Sequence, residues 1–397
     1  MEGMGNREWG TGWQRRLASS ARRGFTLASC LVSLALSSCA SLDLAEPLRP
    51  VTDTAAPVPP VRIVWRRDVN GGFGPTPPLV AGDVLLVGTR RGDVVAVDRE
   101  SGRIVAREEI GSAVEGALAL SADGRVLYAT THGGGAGVRA HDLVEGRERW
   151  RWPRRDTPRA VRREGAVAGG VVRIGDVVVA STLRGVTVGL DADTGAERWR
   201  REALDTLSQV RTAPVPLPGG MVFIADTGGD LAALDAATGA VRWTARAPGP
   251  VYAMPAVADG TVVVTTTRGG VAALDAVTGA VRWRADLGAG VRLSPPALGP
   301  GVAVVGSSDG SVRALDLTTG DARWTWAADG AVSVAPLVAG DVVWIGTLTR
   351  RVVALDAATG AERFATTLGG RVRGGLAAAG GTLFVLTEPR HVVALRP

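Results

Sequence analysis

Residues 306–310, Gly-Ser-Ser-Asp-Gly, have the Gly-x-Ser-x-Gly spacing of a nucleophile elbow, in which a strained strand-to-helix turn exposes a serine hydroxyl for acyl transfer. Residues 132–135, His-Gly-Gly-Gly, have the form of a loop that offers backbone N–H groups to an oxyanion. Such an elbow needs a helix after the serine, and no 11-residue window after Val61 shows a helical period. The same turn recurs at 89–92 (TRRG), 182–185 (TLRG) and 267–269 (TRG), so residues 306–310 read as one hairpin among several. The three histidines, His132, His141 and His391, include no pair at metal-ligand spacing. Seven aspartates, Asp98, Asp142, Asp191, Asp235, Asp275, Asp316 and Asp356, recur too regularly for acid–base work and read as turn residues. No catalytic residue, metal or cofactor is expected.

Those aspartates sit in copies of one motif. Residues 273–283 read ALDAVTGAVRW; close copies lie at 189–199, 233–243, 314–324 and 354–364, and worn ones at 96–106 and 140–150. Successive aspartates are 44, 49, 44, 40, 41 and 40 residues apart, the mark of a repeat architecture. Within a copy, small and apolar residues alternate into an Asp-x-x-x-Gly turn. The aspartate can accept backbone N–H groups as an Asx turn does, and the glycine can take positive φ. The returning strand ends in tryptophan, a ring suited to packing between neighbouring sheets.

Two further strands precede each motif. In the sixth unit these are residues 291–298 and 302–306, with a turn at 307–310 before residues 312–316. Four short strands per repeat of about 40 residues is the β-propeller blade pattern. Counting by the tryptophan position gives eight units, beginning near Trp65, Ala106, Trp150, Trp199, Trp243, Trp283, Trp324 and Phe364. The eighth stops at residue 397 without its outer strand, an edge a ring does not leave open. Residues 61–68 (VRIVWRRD) carry a spare strand with the missing tryptophan. The expected fold is therefore all-β: an eight-bladed propeller of four-stranded antiparallel blades over residues 61–397, closed by the N-terminal strand completing the last blade.

All 45 basic residues are arginine, which reads as coding bias, and the formal charge is +6. Residues 1–38 hold five Arg and two Glu, so about half of that charge lies outside the propeller and no nucleic-acid footprint remains. The run at 25–36 is apolar but too short to span a bilayer, and Arg15, Arg16, Arg22 and Arg23 precede it. Residues 36–39, Leu-Ser-Ser-Cys, resemble the bacterial lipobox. That resemblance implies a signal peptide over 1–38, lipidation of Cys39 and, with Ala40 rather than aspartate next, sorting to the periplasmic face of the outer membrane. Residues 21–25 also resemble a twin-arginine signal, so the export route stays open. Cys30, the only other cysteine, lies in the apolar run, which leaves the mature domain without a disulfide. Residues 39–60, with five prolines, are expected to form a tether; its 21 residues after Cys39 would reach roughly 60 Å if extended. Residues 153–163 (PRRDTPRAVRR) lengthen one inter-blade connection and add five arginines.

The motif, Gly-x-Val-x-Ala-Leu-Asp-x-x-Thr-Gly-x-x-x-Trp, resembles the repeat of the PQQ-type β-propeller family across residues 61–397. Two branches matter. The quinoprotein alcohol dehydrogenases are longer and use a vicinal cysteine disulfide, a calcium site and a catalytic aspartate; the mature domain, with no cysteine after Cys39, argues against that chemistry. The other branch comprises lipid-anchored, non-enzymatic scaffolds of the outer-membrane β-barrel assembly machinery. There an Asp-Val-Asp ahead of the fourth blade and a Leu-x-Leu-Arg in the preceding loop contact the POTRA domains of BamA. The matching positions here are Gln209, Val210 and Arg211, with the acidic pair lost and one charge reversed, and residues 159–162, which keep an apolar Val161 and the final Arg162. The resemblance implies a monomeric docking scaffold whose partner is a BamA-like, POTRA-containing assembly factor. It places Val161, Arg162, Gln209 and Arg211 at the partner face. A propeller serving another envelope partner is the alternative.

Overall fold

The computed structural model describes residues 48, 51, 55–133, 135–154, 167–202 and 208–397. They form eight four-stranded antiparallel sheets. Seven blades use consecutive strands; in blade 5 these are Ala256–Ala258, Thr261–Thr265, Gly270–Asp275 and Val281–Asp286. The eighth takes Val372–Ala379, Thr382–Thr387 and His391–Arg396 from the C-terminus and Arg62–Asp68 from the N-terminus. Asp68 pairs with His391 and Arg62 with Arg396, so the two ends of the chain share one ladder, as the spare strand required. The first strands of blades 1, 2 and 4 to 7 are only two or three residues long. In blade 6 only Ala297–Gly299 pairs continuously, with an isolated bridge from Leu293 to Ser307, because the two prolines at 295 and 296 remove donors there.

The middle strands are buried on both faces and read as unbroken apolar runs. Alternate residues serve different neighbours: Val262 and Val264 pack toward blade 4, Val263 toward blade 6. The buried residues of the ring fall into eight clusters, each shared by two consecutive blades. The cluster of blades 8 and 1 joins Phe384 and Val392 to Leu85 and Val95, which completes the circle.

The repeated tryptophan acts between blades. Trp283 in blade 5 donates its indole N–H to Leu317 O of blade 6 at 2.9 Å, and its ring lies on Gly320. Trp150, Trp199, Trp243 and Trp324 do the same toward the next blade. Trp65, on the closing strand of blade 8, donates to Arg99 O of blade 1 at 3.1 Å and lies on Gly102. Two interfaces depart from the rule. Phe364 of blade 7 has no indole N–H, and the blade beyond it takes its outer strand from the N-terminus rather than through an Asp-x-x-x-Gly turn. Ala106 of blade 1 is likewise no indole, and that interface is instead crossed by a buried contact of His141 Nδ1 with Glu108 Oε1 at 3.0 Å.

Candidate functional site

Each of the first seven blades sends two kinds of connection to each face of the disc. On one face, the turn between first and second strands meets the Asp-x-x-x-Gly turn: Arg99 N donates to Asp83 O, Ala276 N to Gly260 O, and Leu317 N to Gly301 O. On the other, the turn between second and third strands meets the inter-blade connection: Val114 N donates to Thr89 O, and Val332 N to Ser307 O. The first is called the turn face and the second the funnel face, since the central concavity opens there.

On the turn face the aspartates do structural work with both oxygens. Asp275 Oδ1 accepts the N–H groups of Val277 and Thr278 at 3.1 and 2.8 Å and the Thr278 hydroxyl at 2.9 Å, while Oδ2 accepts Arg282 Nη2 at 2.8 Å. The Arg282 guanidinium, helped by the turn amide and hydroxyl, holds the Asp275 carboxyl well below the usual range. Arg198 beside Asp191, Arg323 beside Asp316 and Arg363 beside Asp356 bring those carboxyls down to about 2. A carboxyl whose folded pKa is depressed contributes stability that is complete above its unfolded value, near 4, and is lost as pH falls through the folded value. The thermal midpoint is therefore expected to fall between about pH 4 and pH 2, with no contribution from these groups to any change above about pH 5. A midpoint that held steady between pH 4 and pH 2 would contradict this role.

The chemistry suggested by residues 306–310 is absorbed by the fold. The Ser308 amide donates to Arg292 O at 2.9 Å, and its hydroxyl accepts the Arg292 amide at 3.1 Å. Asp309 is pulled to about 2 by the hydroxyl of Ser307 and by the amide and hydroxyl of Ser311. The turn leads into the strand Ser311–Asp316, not a helix, so it lacks an elbow's context.

The funnel face holds two adjoining concavities of about 300 and 440 Å³ that share Pro75, Arg292, Leu293 and Ser333. Their walls come from the chain entering the first strands of successive blades. Arg211 lines the smaller one with its guanidinium 5.7 Å from the centre of the Tyr252 ring, and its Nε donates to Gln209 Oε1 at 2.9 Å. Gln209 is itself pinned to the hairpin turn of blade 4. Its N–H donates to the Thr227 hydroxyl at 3.0 Å and its carbonyl accepts the Thr227 amide at 2.9 Å. The intervening Val210 is buried and belongs to the core.

The structure thus brings Gln209 and Arg211 together at the funnel mouth. Val161 and Arg162, with most of the arginine-rich connection, lie outside the described residues, as do Cys39 and the signal peptide. Tyr252 and Arg292, which share the mouth with Arg211, were not singled out from the sequence. They would have emerged from stacking the repeats and asking which position before the first strand changes from blade to blade.

Of residues 39–60, expected to form a tether, Leu48, Val51 and Ala55 lie against the ring. Leu48 is buried and donates its N–H to Gly124 O of blade 2 at 3.1 Å. Val51 N reaches Val80 O of blade 1, and Ala55 O accepts Gly381 N of blade 8 at 3.0 Å. Gly124 and Gly381 belong to turns between first and second strands, so Leu48 and Ala55 meet the ring on the turn face. Their contacts are backbone hydrogen bonds and a few apolar side chains, and neither leaves a mark in a proline-rich composition.

The profile of the family described as "Outer membrane protein assembly factor BamB" matches residues 61–207, 185–331 and 308–396. No curated protein matches the sequence. Among solved structures, BamB from Moraxella catarrhalis superposes with a TM-score of 0.69 at 22% identity, covering 85% of this chain and 100% of that one. A computationally designed protein, Ika8, superposes with a TM-score of 0.69 at 17% identity, covering 83% and 98%. A quinohemoprotein alcohol dehydrogenase from Comamonas testosteroni superposes at 0.68 with 13% identity, covering 90% and 83%. At these identities the structural likeness is one of fold.

Proposed function

The chain belongs to the family of the outer membrane protein assembly factor BamB, and from that premise we propose that it is a non-enzymatic, lipid-anchored scaffold that docks a protein partner in outer-membrane β-barrel assembly. The observation that carries the reading is the family match over the whole ring, joined to a funnel face whose loops are held in place by a closed circle of blades. Binding to preset loops loses little conformational entropy, which favours docking over a large flat surface. The proposed partner is a BamA-like, POTRA-containing factor, met by Gln209 and Arg211 and by Val161 and Arg162 of the neighbouring connection.

Lipidation of Cys39 would fit the contact of Leu48 with the turn face. Cys39 precedes Leu48 by nine residues, a reach of at most about 30 Å. An anchor of that length would hold the turn face toward the bilayer and leave the funnel face free. The dehydrogenase reading fares worse on the residues present. Both cysteines of the chain lie at or before residue 39, and among the described residues no cluster of three His, Cys, Asp or Glu could hold a metal.

The test is co-purification from detergent-solubilised envelope. The tagged chain is expected to retain a POTRA-containing factor, and Arg162→Glu with Arg211→Glu to reduce its recovery by tenfold or more, about 1.4 kcal/mol. Dye-linked alcohol oxidation after reconstitution with quinone and calcium, without such a partner, would overturn the proposal.

A further inference from the structure

Stacking the blades exposes one position that the repeat leaves free. A buried valine, as at Val114, Val210, Val251, Val332 and Val372, precedes it in most blades and is part of the core. The position itself holds Glu115, Arg211, Tyr252, Arg292, Ser333 and Arg373 in blades 2, 4, 5, 6, 7 and 8. In an otherwise uniform ring, this position holds acidic, basic, aromatic and hydroxyl side chains in turn and, in blades 4 to 8, they are exposed at the concavities.

The charges there are not evenly compensated. Glu115 is taken by Arg90, and Arg373 has Glu388 at 3.6 Å. Arg211 and Arg292 have no carboxylate partner among the described residues; Arg211 is held by a neutral amide and an aromatic face. Both line the same concavity, with the half-exposed ring of Tyr252 contributed by the blade between them. The remaining wall is largely apolar, with Pro75, Pro77, Met254 and Leu293. Two guanidiniums without a carboxylate among the described residues, over an apolar and aromatic wall, suit separated carboxylates on an apolar body better than a compact, heavily hydrated ion.

We infer that the sector of the funnel mouth in blades 4 to 6 is a binding site for an acidic segment of a polypeptide, whose carboxylates pair with Arg211 and Arg292 while an adjoining apolar side chain rests on Tyr252. The site does not depend on the partner belonging to the assembly machinery. Recovery of that partner without peptide binding would sink this inference alone, and peptide binding without that partner would sink the proposed function alone.

The test is titration calorimetry of the full chain in mild detergent with a capped peptide Asp-Phe-Asp-Phe-Asp, against its Asn-Phe-Asn-Phe-Asn counterpart. The acidic peptide is expected to bind at least tenfold more tightly. Arg211→Ala and Arg292→Ala are each expected to weaken it by about tenfold, the size of a charge-assisted contact. Arg282→Ala on the turn face removes the same charge and is expected to change affinity less than about twofold, since screening at 0.1 M salt acts over roughly 10 Å. Unfolding midpoints of the variants confirm that the ring is intact. Equal binding of the two peptides, no detectable binding of the acidic one, or equal weakening by Arg282→Ala would overturn the inference. So would displacement of the peptide by equimolar inorganic phosphate or by phosphatidylglycerol vesicles, which would mark a general anion or membrane site.

Discussion

Trp65→Ala is expected to destabilise the entire ring by about 3 kcal/mol, the lower end of the range for removing a large buried aromatic side chain. The lower end applies because Trp65 is half-buried, whereas Trp283 and its counterparts are more deeply enclosed. The loss combines packing against Phe384, 6.0 Å away between ring centres, contact with Gly102, and the N–H bond to Arg99 O. Trp65→Phe keeps most of the packing and gives up the hydrogen bond, so it is expected to cost about 1 kcal/mol more than packing changes alone. Urea unfolding measures both. Because strand Arg62–Asp68 holds the two chain ends together, the Trp65→Ala loss should appear in the main transition. A small separate transition would mean that blade 8 opens independently of the ring.

Gly279→Val is expected to cost about 2–5 kcal/mol through two separable causes. Gly279 has φ +72°, where a side chain, above all a β-branched one, is strained. An added Cβ would also lie 2.5 Å from the Trp243 ring. Gly260 separates the two effects, because it has φ +67° but its Cβ would meet only the tip of Arg282 at 3.9 Å. Gly260→Ala should therefore show the backbone cost, roughly 1 kcal/mol, and Gly279→Ala that cost plus about 1–3 kcal/mol of overpacking. Equal losses at the two sites would show that the tryptophan yields, and that the seat between blades is not tight.

These two residues show why so much of the fold could be read from the chain. Gly279 and Trp243 are not neighbours in one motif; they are the same two letters of successive copies, brought together because each blade sets its ring on the next blade's turn. A contact made six times over announces itself as periodicity. The closing strand was legible for the same reason, since residues 61–68 carry a tryptophan without a motif and the last copy lacks one.

What the period could not disclose lies outside its constraints. The contacts of Leu48, Val51 and Ala55 have no repeat to align with and are made partly by backbone groups, which every sequence possesses. The mouth of the funnel is hidden differently. Its informative position is the one at which the copies disagree, so a search for shared letters passes over Tyr252 and Arg292. Gln209 and Arg211 were reached by resemblance to a related family rather than by period, and their pairing with each other and with Tyr252 required the geometry. Val210 shows the limit of carrying a motif over letter by letter, because in this chain it is core between two exposed neighbours.

The proposed function puts the protein partner on one face of the closed ring and not on the other. The direct measurement is quantitative recovery of envelope proteins on the tagged full chain, comparing Arg211→Glu on the funnel face with Arg282→Glu on the turn face, each carrying the same charge reversal. Recovery of a POTRA-containing assembly factor that falls tenfold or more with Arg211→Glu and stays within about twofold with Arg282→Glu is the expected result. Equal recovery from the two variants, or no such factor on the unaltered chain, would contradict it.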